Sequence, residues 1–318
     1  MRVMMLSWDF PPRTTGGTAA HVAGLSEGFS RAGHEVVVIT IAAKPAELEA
    51  KQPESIRVIR TLVDLPVLTM HGTERVRHGG QLPPGAPTDI SSIEWWLAFQ
   101  ADRMITPTRF MVEQLVTGFE LSEDHVVHIP NGIDPELWGP APTDDDGAGP
   151  VAADGAPLVV SWGQVKYEKG FQVLARAMHG LRGRIPEVRS VIAGRGTYLP
   201  ELQTQIDVEG VSDIIALPGF LRDNELRNLV HRANCVVIPS LYEPFGIVAL
   251  EALAAGAPLI VADTGGLAEL IAGTDAGLTF EPGNPDDLAD KIEQVLTDND
   301  LAATLRANAR DLVARKYA

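Results

Sequence analysis

The 318-residue chain has a single cysteine, so no disulfide can close within it. That thiol, Cys235, opens the apolar run Cys235-Val236-Val237-Ile238 and reads as a buried, inert side chain, which fits a reducing compartment. Basic residues are also scarce. Lys and Arg number 26 against 42 Asp and Glu, a net charge of −16, which argues against nucleic acid or an anionic membrane as the main partner. Long hydrophobic runs are missing too. Residues 247–262 are the longest, and Glu251 and Gly256-Ala257-Pro258 interrupt them, so no transmembrane segment is expected. At the amino end Val3-Met4-Met5-Leu6 is too short for a secretory leader, and Asp9 and Pro11-Pro12 interrupt the segment behind it. Supported metal-ligand clusters are lacking as well. Asp144-Asp145-Asp146 sits in the Ala/Gly/Pro/Asp-rich residues 140–157 and reads as a solvated charge run at a domain boundary, so no metal is expected. With 45% hydrophobic and 21% charged residues, the expectation is a soluble, cytoplasmic globular protein.

Buried strands and helical segments alternate along most of the chain. Residues 2–8, 36–39, 56–63, 67–71, 103–106 and 126–129 read as strands of a first domain. A helix capped by Thr18 runs to about Arg31, another spans 108–117, and residues 91–97 read as an amphipathic helix whose Trp95 and Trp96 serve packing and not a sugar platform. Only Asp64-Leu65-Pro66 separates the third and fourth strands, too little for a parallel crossover between neighbours. Either the pair is antiparallel or a unit is absent. From Leu158 onward strands at 158–161, 188–193, 214–217, 235–239, 259–262 and 278–280 alternate with helices, the pattern of a doubly wound parallel sheet. Gly194-Arg195-Gly196 is no dinucleotide fingerprint, because Leu199 stands where the third glycine belongs.

The most informative stretch runs from Ser240 to Gly256. Residues 235–239 form a buried strand, Glu243-Pro244-Phe245-Gly246 a turn, and Ile247 to Ala255 a helix stopped by Gly256. A helix starting at the carboxyl end of a parallel strand offers unpaired amides to an anion, so a phosphate suits the crevice. Glu243 before the helix and Glu251 within it would repel a phosphate and are better used as acceptors for neutral hydroxyls. A diphosphate flanked by hydroxyl-bearing groups, as in a nucleotide sugar, meets both demands. An ordinary surface helix with a solvated Glu251 would carry the same residues.

Glu243-Pro244-Phe245-Gly246 with Glu251, followed by Gly256-Ala257-Pro258-Leu259-Ile260-Val261 and Gly265-Gly266-Leu267-Ala268-Glu269, resembles the E-x7-E signature of family-4 retaining glycosyltransferases. The resemblance implies an α/β protein of GT-B type: two Rossmann-like domains facing across a cleft, an acceptor-side domain at residues 1–138 and a nucleotide-sugar-binding domain at 156–318. It places the Gly16-Gly17 loop and His71 beside donor and acceptor, and Pro130-Asn131-Gly132-Ile133-Asp134 near the hinge. Lys169, in Gly163-Gln164-Val165-Lys166-Tyr167-Glu168-Lys169-Gly170, resembles the lysine that neutralises the departing diphosphate. Catalytic roles thus fall to His71, Lys169 and Glu243. Donor binding falls to Gly16, Gly17, Gln164, Gly194, Gly219, Phe245, Gly246, Ile247 and Glu251.

The implied activity is retaining transfer of a glycosyl group, glucosyl by resemblance to glycogen and starch synthases, from an ADP- or UDP-sugar to a carbohydrate or other hydroxyl acceptor. The Gly16-Gly17 loop and the Glu94 region resemble those of α-glucan synthases. No bound cofactor is implied. Two departures stand out. Gln164 occupies the place of the family's arginine, leaving Lys166, Arg13 or Arg195 to supply its charge. The first domain also looks short by a βα unit of roughly 30 residues, and the carboxyl end by a returning helix. The alternative is therefore a nucleotide-sugar-binding remnant without turnover, and a GT-B epimerase or phosphorylase is a third reading.

Overall fold

The computed structural model describes residues 2–7, 17–40, 56–57, 65–77, 85–139 and 155–318. The chain divides into two compact units, Met1–Pro130 and Asn131–Ala318, each built on its own parallel sheet.

In the first unit the strands are β1 (Arg2–Ser7), β2 (Glu35–Thr40), β3 (Ile56–Arg57), β4 (Leu65–Thr69), β5 (Ala101–Thr106) and β6 (Val126–His128), in the order β3-β2-β1-β4-β5-β6. Every pairing is parallel. The antiparallel option for the third and fourth strands is thereby removed: β2 and β1 lie between them, and β4 pairs with β1 and β5. Helix α1 (Gly17–Arg31) starts at Gly17, one residue before the expected cap. Val36 and Val38 pack with Val3, Met5 and Val22 on one face, while Val37 turns to the other with Leu68, Met104 and Leu115. Burial on both faces explains why these strands read as continuous apolar runs.

Between β4 and β5 lie α2 (Glu74–Arg77) and α3 (Ala86–Gln100), and α4 (Arg109–Gly118) follows β5. Thr108 caps α4, its side chain accepting from Met111 N. In α3 the buried positions are Ser91, Glu94 and Ala98, whereas Trp95 and Trp96 are 43% and 42% exposed and Phe99 is 62% exposed. The inward side carries Glu94, whose carboxylate accepts from Glu74 N, and the tryptophans lie toward the outer side. Trp95 lies parallel to Phe99 at 5.5 Å and donates Nε1–H to Phe119 O at 3.2 Å.

The second unit holds β7 (Leu158–Trp162), β8 (Arg189–Ala193), β9 (Ile215–Gly219), β10 (Cys235–Ile238), β11 (Leu259–Ala262) and β12 (Gly277–Phe280), ordered β12-β11-β10-β7-β8-β9 and all parallel. Helices α5 (Phe171–Arg182), α6 (Leu199–Val208), α7 (Asp223–Arg232), α8 (Ile247–Ala254), α9 (Gly265–Ile271), α10 (Pro285–Thr297) and α11 (Asn299–Lys316) connect the strands or close the unit. Val159, Val237 and Ile260 face one core and Val160, Val236 and Val261 the other, as a doubly wound sheet requires. Cys235 is fully buried, and desolvation pushes its thiol up to about 12. Residues 131–139 belong to this unit: Ile133 N donates to Tyr317 O at 2.7 Å, and Trp138 stacks on Trp162.

Candidate functional site

From β7 the second sheet grows one way to β8 and β9 and the other way to β10, β11 and β12. The carboxyl ends of β7 and β10 therefore flank a topological switch point, where crevices open in such sheets. The loop after β7 reaches Lys169 through a 3-10 turn and then Gly170, left-handed at φ 70°. A Cβ on Gly170 would lie 1.8 Å from Pro239 O, so only glycine lets this loop lie against the end of β10. Leu241 N donates to Glu168 O at 2.9 Å and ties the two loops together. Lys169 Nζ then meets Glu243 Oε2 at 2.6 Å, and Ser240 Oγ donates to the same oxygen at 3.1 Å.

Past Glu243 the chain turns at buried Phe245 and at Gly246, φ 96°, before α8 begins. Gly266 N donates to Glu243 O at 2.9 Å, so the start of α9 braces the turn from beneath. The amides of Gly246, Ile247 and Val248 meet no acceptor among the described residues. They sit at the positive end of the α8 dipole, a place suited to an anion.

Glu251 is the only charged residue of α8. Its Oε2 accepts Trp162 Nε1–H at 3.1 Å. Trp162 ends β7, is 6% exposed, and lies 6.1 Å from the Trp138 ring at 25°. Part of Glu251 remains open to solvent, yet its carboxyl is crowded by protein. Desolvation pushes it up to about 7, opposed by the Trp162 hydrogen bond and helped by the charge of Asp223.

On the other side of β7, Val165 N donates to Arg195 O at 2.9 Å and Gly194 N to Gly219 O at 2.8 Å, linking the loops after β7, β8 and β9. The Arg195 guanidinium lies 5.7 Å from the centre of the exposed Phe220 ring. Chemically, the crevice combines a cation, free helix-start amides and two carboxylates with different surroundings. That set can hold a diphosphate between hydroxyl-bearing groups.

Residues 144–312 match the family of glycosyl transferases group 1, residues 65–137 match glycosyltransferase family 4, and residues 2–82 match the starch synthase catalytic domain. The chain is 31% identical to an uncharacterized glycosyltransferase of Methanocaldococcus jannaschii, over 100% of this chain and 94% of that protein. The chain is a family-4 glycosyltransferase of the GT-B fold. This glycosyltransferase is also 30% identical to glycogen synthase of Mycobacterium tuberculosis, over 97% of its own length and 89% of that enzyme. Among solved structures it is similar to Anabaena HepE in complex with UDP-glucose, with a TM-score of 0.80 at 20% identity over 100% of this chain and 95% of that one. Sucrose-phosphate synthase from Thermosynechococcus elongatus gives 0.78 at 20% identity, with the same coverage of both chains. The alignment with the M. jannaschii relative runs 375 residues, longer than this chain, so that relative carries residues with no counterpart here.

In the glycosyltransferase, Gln164, Lys169, Gly194, Gly219, Glu243, Phe245, Gly246, Ile247 and Glu251 all lie at or beyond the carboxyl ends of strands in the second sheet, Gly219 as the last residue of its strand. Gly194 is needed by the protein's own backbone, since a Cβ there would stand 1.8 Å from Gly163 O. His71 belongs to the first unit. It follows β4, its Nε2 is buried, and the next residues lead into α2. Buried Glu94 of α3 holds the start of α2, its two oxygens accepting Glu74 N at 2.9 and 3.1 Å. Gly17 opens α1, while Gly16, Arg13 and Asp144-Asp145-Asp146 lie outside the described residues. Of the cations expected to stand in for the missing arginine, Lys166 is 3.9 Å from Glu168 and Arg195 is over Phe220; Gln164 itself is exposed.

Trp162 is a site residue that the sequence does not mark. In Leu158-Val159-Val160-Ser161-Trp162 it reads as one more apolar strand residue. The available signal is its place, directly before Gly163 at the carboxyl end of the domain's first strand.

Proposed function

We propose that this glycosyltransferase is a retaining, cytoplasmic enzyme that moves a glucosyl group from a UDP- or ADP-sugar to a carbohydrate hydroxyl, with an α-glucan the first acceptor to test. The observation that carries the reading is the convergence of Lys169, Glu243, the α8 amides and Glu251 at one switch point. In this reading the amides of Gly246 and Ile247 bind the diphosphate, Glu243 turns its outer oxygen to the sugar, and Glu251 accepts from the ribose diol. During transfer the bond from the anomeric carbon to the β-phosphate oxygen breaks, and a bond to the acceptor oxygen forms on the same face. The acceptor's proton passes to the departing diphosphate. Lys169 and the amides stabilise the charge growing on that leaving group, each such donor contributing about 10²–10³ in rate.

The donor class is supported by HepE, whose structure was solved in complex with UDP-glucose, and by the glycogen synthase relative. The binding-only alternative draws on Gln164, which is exposed and uncharged, with Lys166 and Arg195 engaged elsewhere. One experiment tests both. The purified protein is incubated with UDP-glucose or ADP-glucose and a glucan or simple-sugar acceptor, and nucleoside diphosphate release and product anomeric configuration are measured. Release with an α-linked product is expected. Saturable donor binding without release would select the alternative, and a β-linked product would overturn retention.

A further inference from the structure

The contact between Glu251 and Trp162 joins a motif residue to one that none of the sequence motifs contains. Trp offers a donor and nothing else, so the hydrogen bond fixes both orientation and role: the indole gives and the carboxyl receives. Trp162 is itself held, by β7 on one side and by the face of Trp138 on the other. The donor therefore sits on a rigid strand end, not on a mobile loop. With Oε2 engaged, Oε1 of Glu251 has no partner among the described residues and is left for a ligand hydroxyl. Asp223 at the start of α7 is the charged group that acts on this carboxyl, and its sign opposes ionisation. Arg306 of α11 is taken up by the carbonyls of Gly256 and Ala233. The indole N–H thus does for Glu251 what a cation does elsewhere, holding the acceptor oxygen in place without neutralising it.

We infer that Trp162 is a positioning residue for recognition of the nucleotide ribose, acting through its Nε1–H on Glu251, an inference that rests on Glu251 being the ribose acceptor. A structural role alone would change binding of all nucleotides alike, whereas a positioning role changes binding only where the diol is present.

The test compares UDP and ADP with their 2′,3′-dideoxy counterparts by calorimetry, in the wild type and in Trp162→Phe. Phenylalanine keeps an aromatic face for Trp138 and removes the N–H. In the wild type, the ribonucleotide that binds is expected to bind about 10- to 100-fold tighter than its dideoxy form, as for a hydrogen bond to a charged group. In Trp162→Phe that ratio is expected to fall by about fivefold or more, with dideoxy binding unchanged. If the wild type shows no preference for the diol, or binds neither nucleotide, the assignment of Glu251 fails and this inference with it. A wild-type preference retained in full by Trp162→Phe overturns the inference alone. Should Trp162→Phe fail to fold, the five indole N–H signals of the wild type are followed by NMR across pH. One signal that titrates with a midpoint near the Glu251 value of about 7, and stops doing so in Glu251→Gln, supports the contact. No titrating indole signal, or one unaffected by Glu251→Gln, overturns it.

Discussion

Lys169 and Glu243 neutralise each other at 2.6 Å, with their side chains 27% and 12% exposed. The cation proposed for the leaving diphosphate is thus already partnered. Removing either residue leaves the other half-buried and uncompensated, while removing both does not. Lys169→Ala and Glu243→Ala are each expected to cost about 1–3 kcal/mol in urea unfolding at neutral pH. The double variant is expected to cost clearly less than the sum of the two. Additive losses would mean that the pair is not coupled. In a transfer assay Lys169→Ala should lower kcat by about 10²–10³, with a smaller change in KM.

Two glycines in the site loops are required for different reasons, and the difference can be measured. At Gly170 a Cβ would strike the backbone oxygen of Pro239 at 1.8 Å, and backbone cannot step aside. At Gly246 the nearest atom is Leu267 Cδ2 at 2.4 Å, the end of a buried side chain that must repack, which adds to the penalty of φ 96°. Gly246→Ala is expected to lose about 2–4 kcal/mol, the cost of a left-handed non-glycine residue together with repacking of Leu267. Gly170→Ala should lose more. Thermal melting of the two variants gives the order, and a reversal would refute it.

The outward face of α3 permits a third prediction. Trp96 is 42% exposed and makes no hydrogen bond among the described residues, whereas the Trp95 indole is tied to Phe119 O. Trp96→Phe, which keeps an aromatic side chain at the same place, is expected to shift unfolding free energy by no more than about 0.5 kcal/mol. Trp95→Phe should cost about 1 kcal/mol for the lost hydrogen bond. Equal effects in chemical denaturation would count against this placement of the helix.

Much of the fold was legible because burial on two faces writes itself into sequence. Runs such as Val36-Val37-Val38 and Cys235-Val236-Val237-Ile238 can hardly be anything but inner strands of a parallel sheet. The crevice was legible from Gly246 and the two glutamates at fixed spacing, since a strand, a turn and a helix start define an anion site locally. The part that stayed hidden was non-local. Nothing near Lys169 in sequence announces Glu243, 74 positions away, and nothing near Glu251 announces Trp162, 89 positions away. Sheet order brings β7 beside β10, and only that adjacency creates both contacts. The inward side of α3 was hidden for a related reason: it carries Glu94, held by Glu74 N 20 positions away, a contact that hydrophobicity does not announce.

With Glu251 in its proposed role, its raised carboxyl should make stability and donor binding respond to pH in opposite directions. In the unfolded chain this group ionises near its ordinary 4.5, and in the folded protein near 7. Between those values the native state holds a proton that the unfolded state has released, so stability falls as pH rises through this window and levels off above it. The wild type should therefore lose at most about 3 kcal/mol from this group between pH 4.5 and 8. Glu251→Gln, which cannot ionise, should be spared that loss and should gain stability over the wild type as pH rises. A ribose diol, by contrast, donates best to the ionised carboxylate, so donor affinity should increase through the same window and the wild type should release a proton on binding at about pH 7. Calorimetry in two buffers of different ionisation enthalpy measures that proton directly. Proton uptake, or a stability difference between wild type and Glu251→Gln that does not change with pH, would show that Glu251 is not the desolvated acceptor described here.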